Sequence, residues 1–177
     1  PKSLLRNKLC VSSLSAMGTG TTFHRVMHDV VPLCSDESVA RVILCSGKVY
    51  YDLFQERAKR KIKNIFLLRL EQLYPFPKEA LLDELARFPE AEVVWCQEEP
   101  ENMGAWTFVD RKLEEVLVEL GGRSLRARYI GRPEAASPAT GSLGTHNAEQ
   151  ALILDQAMSE LEQGPKRNVS SERQAAE

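Results

Sequence analysis

The hydrophobic positions of this chain change their spacing in a regular way along the sequence. Residues 41–45 form a short apolar run that is rich in β-branched side chains and ends at Ser46-Gly47, which is typical of a buried strand. Residues 48–61 then carry apolar side chains at helical spacing, with basic side chains at the end, where cations complement the helix dipole. This part of the chain therefore predicts a strand followed by a helix.

The same alternation recurs towards the end of the chain. Further strands are predicted at residues 65–70, 91–97 and 125–130, and further helices at residues 78–88, 104–120 and 147–160. Parallel neighbouring strands need crossover connections, and helices of this length supply them. The repeated alternation therefore predicts an α/β fold of three layers, with a mostly parallel sheet covered by helices on both faces.

The two ends of the chain differ from this regular middle. Residues 1–38 carry turn and loop signals with only short apolar stretches between them, so we expect a lead-in segment laid against the domain. Residues 39–162 are predicted to form the α/β domain itself. The composition from there on is too polar to bury a core, so residues 163–177 are predicted to be a disordered tail.

Composition and charge narrow the classes of protein to consider. With 177 residues and 43% hydrophobic content, the chain is long enough for one domain with a sizeable core. A formal net charge of -2 provides no basic field of the kind that attracts nucleic acid or acidic lipid, so neither partner is expected. The apolar runs are far shorter than the roughly 20 residues of a membrane span, which predicts a soluble protein that is not exported. The scattered cysteines suit reduced thiols in a reducing compartment such as the cytoplasm.

Ligands of doubly wound sheets lie outside the carboxyl ends of the strands, so the residues that follow each strand are candidates for a site. Ser46-Gly47-Lys48 follows the first predicted strand and opens a helix, where free backbone amides and a lysine could hold a phosphate. The glycine spacing of a P-loop is missing. The alternative is that Ser46 caps the helix and Gly47 makes the turn.

Other polar clusters predict little chemistry. Gln97-Glu98-Glu99 follows the third strand and could supply a general acid or base, although acidic residues before a helix are also common dipole partners. The three histidines have no spacing typical of a metal site, so no metal ligand is predicted. No order of Ser, His and Asp with a nucleophile elbow appears, so hydrolase chemistry has no support.

Five blocks of the sequence resemble one known family. The first runs Cys45-Ser46-Gly47-Lys48-Val49-Tyr50-Tyr51-Asp52-Leu53, and the others fall in residues 3–8, 70–77, 95–106 and 129–141. They look like the carboxy-terminal domain of the 2-oxoglutarate dehydrogenase decarboxylases. The resemblance covers residues 1–160 and implies a transketolase-like third domain, cut away from the domains that precede it in the full enzyme.

The resemblance also implies an activity for the full enzyme. Such an enzyme is a homodimer that binds thiamine diphosphate and magnesium, decarboxylates 2-oxoglutarate, and passes the succinyl group to the lipoyl arm of a succinyltransferase in the citric acid cycle. The resemblance implies that the cofactor contacts and the catalytic histidines lie mainly in upstream domains, so no catalytic residue is expected in this chain. No cofactor is expected on this chain alone, and the isolated chain is expected to be inactive. The implied location is the bacterial cytoplasm or, in a eukaryote, the mitochondrial matrix.

This domain is expected to contribute buried surface to the dimer of the full enzyme and to shape the mouth of its active site. It is also expected to provide an effector site for a nucleotide or acyl coenzyme A. Arg6 and Lys48, with Ser46, are the candidates for contacting effector phosphates, and Arg69 and Arg132 are further candidates. The alternative for each basic side chain is an ordinary surface ion pair. Two other interpretations remain: a stand-alone regulatory module that binds a phosphorylated metabolite, and the equivalent domain of a pyruvate or branched-chain enzyme.

Overall fold

The computed structural model describes residues 2–31 and 33–159. The strands are β1 (Val26–Met27), β2 (Arg41–Cys45), β3 (Ile65–Leu70), β4 (Glu92–Pro100) and β5 (Arg128–Arg132). The α-helices are α1 (Val49–Arg60), α2 (Lys78–Leu85), α3 (Trp106–Leu120) and α4 (Leu143–Met158). Short 3-10 turns occupy Lys2–Arg6, Leu14–Met17 and Asp36–Ser38.

The strands form one five-stranded sheet in the order β1-β3-β2-β4-β5. Strands β2 to β5 run parallel to their neighbours, and only β1 pairs antiparallel, at the edge of the sheet beside β3. Strand β2 is at the centre and all its residues are buried, which explains its continuous apolar run. The prediction of an α/β fold with a mostly parallel sheet is therefore confirmed.

Two hydrophobic clusters cover the two faces of the sheet. Val42 and Leu44 of β2 pack on one face with residues of α2 and α3, whereas Ile43 and Cys45 pack on the other with residues of α1 and α4. This separation follows from the pleat, because successive side chains of a strand point to opposite faces. The arrangement gives the three layers that the alternating pattern predicted.

The first part of the chain is tied into this sheet by a buried ion pair. The carboxylate of Asp29, two residues after β1, accepts hydrogen bonds from both terminal nitrogens of Arg57 in α1 and from the backbone N–H of Leu67 in β3. The division predicted between residues 1–38 and the rest of the domain stays a prediction. Residues 163–177, predicted to be a disordered tail, lie outside the described residues.

Several predicted element boundaries were wrong by a few residues. Helix α4 begins at Leu143, where the Ser142 hydroxyl accepts a hydrogen bond from the Thr145 N–H, and not at residue 147 as predicted. Strand β4 extends through polar residues to Pro100, which pairs with Arg132 of β5 beyond a register shift. The predicted helix over residues 78–88 ends at Leu85.

The core contains the side chains that the sequence assigned to it. Cys45, Cys96 and Trp95 are fully buried, and Trp106 is nearly so. Both cysteines are free thiols, and burial raises the pKa of Cys96 to about 12, so that it stays protonated at neutral pH. Among the described residues, no helix combines the length and apolar character that crossing a membrane requires.

Candidate functional site

The carboxyl ends of β2 and β4 lie side by side at the centre of the sheet. The chain leaves β2 towards α1 on one face of the sheet and leaves β4 towards α3 on the opposite face. The two connections therefore diverge to opposite faces of the sheet at this edge and leave a crevice between them. Parallel sheets commonly bind their ligands in such a crevice. We take this edge as the candidate site.

The loop from β2 into α1 brings Lys48 into the crevice. Gly47 makes the turn at φ +74°, a conformation that glycine adopts without strain. The Lys48 Nζ lies 2.5 Å from Asp52 Oδ2 and 2.9 Å from Glu98 Oε1. Burial alone would lower the pKa of Lys48, but its hydrogen bonds to these two carboxylates raise it above its ordinary value. Lys48 is therefore a charged bridge between the loops after β2 and β4.

The alternative role proposed for Ser46, as the cap of α1, is wrong. The residue at the cap position is Lys48, and no side chain makes a capping hydrogen bond there. The turn at Gly47 shifts the start of the helix beyond Ser46, while the alternative is right about Gly47 itself. Ser46 thus lies at the carboxyl edge of the sheet without a capping role.

Arg132 ends β5 and faces α4. Its Nη2 is 2.7 Å from His146 Nδ1, and its Nε is 3.2 Å from Glu149 Oε2. The Arg132 residue is only 8% exposed, so the contact is buried rather than the surface ion pair considered from the sequence. Next to it, the Tyr129 hydroxyl lies 3.0 Å from the carbonyl oxygens of Glu99 and Arg132. Arg132 therefore anchors α4 against the end of the sheet.

A cleft of about 440 Å³ opens beside this edge, between the first part of the chain and the ends of β2 and β3. Arg69 of β3 lines it, with its guanidinium 4.5 Å from the centre of the Tyr50 ring and its Nη1 3.2 Å from the Tyr51 hydroxyl. The Arg69 Nε is 2.5 Å from Glu71 Oε1. Gly47 lines the same cleft, which connects it to the loop that carries Lys48.

The structure brings together some of the candidate phosphate contacts and separates others. Ser46 and Arg69 lie at the ends of neighbouring strands, since Arg69 is the strand partner of the residue before Ser46, and Lys48 lies in the loop that follows Ser46. Arg132 lies at the end of β5, against α4. Arg6 is exposed in the first 3-10 turn, and although Leu4 of that turn lines the cleft, Arg6 is not among the lining residues.

The polar cluster after β4 has a structural role that the sequence did not reveal. The buried Gln97 accepts hydrogen bonds through Oε1 from the Trp95 Nε1–H and the Trp106 N–H, both at 3.0 Å. Its Nε2 donates to the carbonyl oxygens of Pro100 and Met103, at 3.1 and 2.8 Å. Gln97 therefore holds the loop that leads into α3, and the acid or base considered for Glu98 and Glu99 stays a prediction.

The sequence also missed the residues that hold Lys48 in place. Asp52 lies one helical turn after Lys48, so this contact could have been expected from the spacing. Glu98 and Gln150, whose Nε2 donates to Asp52 Oδ2 at 3.1 Å, are far away in sequence. They come into reach only because β4 lies beside β2 and α4 packs on α1.

Comparison with known proteins decides the family. The family described as "2-oxoglutarate dehydrogenase C-terminal" matches residues 11–158 of this chain. The chain belongs to this family. The resemblance seen in the five sequence blocks is therefore confirmed, and the fold is consistent with a transketolase C-terminal-like domain.

Curated relatives of this 2-oxoglutarate dehydrogenase C-terminal chain agree with the family. It is 52% identical over 166 residues to the "2-oxoglutarate dehydrogenase E1 component" of Brucella anthropi, an alignment that covers 89% of this chain and 17% of the relative. The components of the same name from Brucella ovis and Brucella canis show 52% identity over 166 residues, covering 89% of this chain and 16% of each relative. The chain thus spans about a sixth of the length of the curated relatives that it matches.

The described residues offer no cluster of side chains suited to the metal and cofactor that the family resemblance implies for a full enzyme. Over residues 2–31 and 33–159, no group of three or more His, Cys, Asp or Glu side chains is placed to hold a metal ion. The charged groups at the carboxyl edge are paired with one another around Lys48, Arg69 and Arg132. We therefore derive no catalytic step from this chain.

Proposed function

We propose that this chain is the C-terminal domain of a 2-oxoglutarate dehydrogenase E1 component. The whole protein decarboxylates 2-oxoglutarate with thiamine diphosphate and magnesium, held by its other domains, and transfers the succinyl group to the lipoyl group of the succinyltransferase component. The observation that carries the proposal is the 52% identity to E1 components across 89% of this chain. An identity this high over a whole domain is difficult to reconcile with an unrelated activity.

Within that enzyme we assign this domain to dimer burial and to shaping the mouth of the active site. The first part of the chain exposes large apolar side chains, including Leu5 at 85%, Leu14 at 86% and Val11 at 76%. Contiguous apolar surface on a folded protein commonly marks a protein interface. These residues are therefore expected to be covered by the other domains or by the second subunit.

A domain exchange tests this function. In the E1 component of Brucella anthropi, the segment that matches this chain is replaced by this chain, and 2-oxoglutarate-dependent release of carbon dioxide is measured. The chimera is expected to decarboxylate 2-oxoglutarate and not pyruvate, whereas the same relative without the segment is expected to be inactive. A soluble, dimeric chimera without activity would contradict the proposal and favour the stand-alone regulatory module.

We also propose that the carboxyl edge binds the phosphates of an effector, a nucleotide or acyl coenzyme A. The cleft of about 440 Å³ falls within the usual range of small-molecule sites, and the Tyr50 and Tyr51 rings beside Arg69 offer a surface for a base. Gly47 lines the cleft and connects it to Ser46 and Lys48, which are its neighbours in sequence but are not lining residues themselves. Because Lys48 is shared by two carboxylates, the effector has to displace Glu98 to use the ammonium group.

Calorimetric titration with AMP or acetyl coenzyme A tests the effector site. A Lys48→Ala variant is expected to bind about tenfold more weakly, because it loses one charged contact. Lys59→Ala is the matched control, since Lys59 lies near the other end of the same helix and pairs only with Glu56. Identical titration curves for the unchanged chain and the Lys48→Ala variant would exclude Lys48 from the site.

A further inference from the structure

A second pocket lies at the far end of α1, away from the carboxyl edge of the sheet. It has a volume of about 200 Å³ and is bordered by the C-terminal turn of α1 and by the segment that follows β1. Its lining consists of apolar and basic side chains: Val31, Leu33, Phe54, Arg57, Ala58, Lys61, Ile62 and Lys63. None of these lining residues is acidic, so the pocket combines an apolar interior with positive charge.

The positive charge available to a ligand comes from Lys61 and Lys63, which form the rim of the pocket. Arg57 is buried and bound by Asp29, so its charge is already compensated. Lys61 and Lys63 are exposed, and neither forms an ion pair with any acidic side chain in the described parts of the chain. Two ammonium groups therefore border an apolar pocket without acidic partners nearby.

Lys61 adopts a backbone conformation that a lysine does not favour. It ends α1 in the left-handed region, at φ +57°, where glycine is the usual residue because it carries no Cβ. The lysine at this position thus costs backbone energy while it places a charge at the rim of the pocket. Over residues 2–31 and 33–159 no acidic side chain forms an ion pair with Lys61, so its charge serves only the helix dipole there.

We propose that this pocket binds an acidic segment of a partner protein, with one large apolar side chain inserted between Lys61 and Lys63. A pocket of about 200 Å³ is smaller than the usual small-molecule site of about 300–1,000 Å³. It is close to the cavity of about 150 Å³ that holds a benzene ring, so one phenylalanine or leucine side chain fits. Interfaces commonly rely on one such anchor surrounded by polar contacts.

The charge pattern defines the flanking residues of the partner. Lysines on the rim favour carboxylates directly before and after the anchor side chain. The chain itself carries this chemistry at Glu160-Leu161-Glu162, just after α4 in sequence. An experiment therefore has to separate a partner segment from these residues of the same chain.

The test is a fluorescence anisotropy titration with a labelled peptide, Ser-Asp-Glu-Phe-Glu-Asp-Ser. The full chain is expected to bind it, and a peptide with alanine in place of the central phenylalanine is expected to bind about tenfold more weakly, since the anchor is lost. Binding of the phenylalanine peptide by a chain ending at Ser159 but not by the full chain would overturn the proposal, because residues of this chain would then occupy the pocket. Equal binding of the two peptides would also overturn it.

Two variants separate binding from folding. Lys61→Gly removes the charge and relieves the left-handed backbone, so peptide affinity is expected to fall about fivefold while the melting temperature stays unchanged or rises. Lys63→Glu is expected to weaken binding further through repulsion, and Lys112→Ala on the opposite face of the sheet is the matched control. An unchanged affinity in both Lys61→Gly and Lys63→Glu would refute the assignment of the pocket.

Discussion

The buried ion pair between Asp29 and Arg57 is expected to be among the most costly contacts to break in this fold. The Asp29 side chain is 0% exposed and the Arg57 side chain 3%. Asp29→Ala removes the carboxylate and leaves a buried guanidinium whose remaining partners are the Ile65 carbonyl at 2.9 Å and the Phe54 ring. The Leu67 N–H also loses its acceptor.

The expected loss in the free energy of unfolding is about 3–5 kcal/mol, the usual cost of removing one partner of a buried pair. A typical domain has a stability of about 5–15 kcal/mol, so the Asp29→Ala variant should lose a large part of it. Urea unfolding followed by tryptophan fluorescence and circular dichroism measures this loss. Since the uncompensated charge causes most of it, Asp29→Ala/Arg57→Met should recover part of the stability.

A matched control is present in the same region. Asp36 pairs with Arg87 through two hydrogen bonds in a similar way, but the two side chains are 41% and 40% exposed. Asp36→Ala should shift the urea midpoint far less than Asp29→Ala, because water replaces the lost contact. A loss below about 1 kcal/mol in Asp29→Ala, or equal shifts in the two variants, would refute the reasoning.

Three further changes test other parts of the structure. Burial alone would raise the pKa of Glu92, but hydrogen bonds from Arg128 and Arg41 lower it below its ordinary value. Glu92→Gln should therefore destabilise the chain by about 1 kcal/mol at pH 7. Urea titrations should show this difference begin to shrink as the pH falls below about 4.3, the ordinary pKa of Glu, and vanish below the lowered pKa of the folded state. A Cβ at Gly131 would lie 2.1 Å from the Tyr129 hydroxyl oxygen, so Gly131→Ala should lower the stability by about 1–3 kcal/mol in thermal unfolding. Gly144 of α4 is the control, because a Cβ there meets no close neighbour and Gly144→Ala should not lower the stability. Gln97→Leu should cost about 3 kcal/mol in urea unfolding, because the five hydrogen bonds of the Gln97 amide are lost. A loss within error would contradict that role.

The elements of the fold were readable from the sequence because each side of the sheet is covered. A strand buried on both faces, such as β2, shows a continuous apolar run, and the helices between strands show their own spacing. The last residues of β4 and the first residues of α4 were predicted wrongly for local reasons. The polar extension of β4 is held by the Gln97 side chain. Helix α4 starts at the Ser142 cap, several residues before the apolar positions at helical spacing begin.

The candidate site was only partly readable. Ser46 and Lys48 could be placed at the end of a strand, because the carboxyl ends of parallel strands share one edge. Their partners could not be placed, since the contact between Lys48 and Glu98 depends on β4 lying beside β2 rather than beside β3. Strand order results from packing across the whole domain, and the spacing within any one segment does not contain it.

The antiparallel edge strand has a consequence for the order of folding. Strand β1 has two residues, and its partners Leu70 and Arg69 come more than forty residues later in the chain. A strand pair this short is not stable alone. The carboxylate of Asp29 can accept its hydrogen bonds only after β3 and α1 have formed. The segment before β2 is thus synthesised earlier than the strand it pairs with and docks after it, and until then its apolar side chains remain available to chaperones and to other unfinished chains.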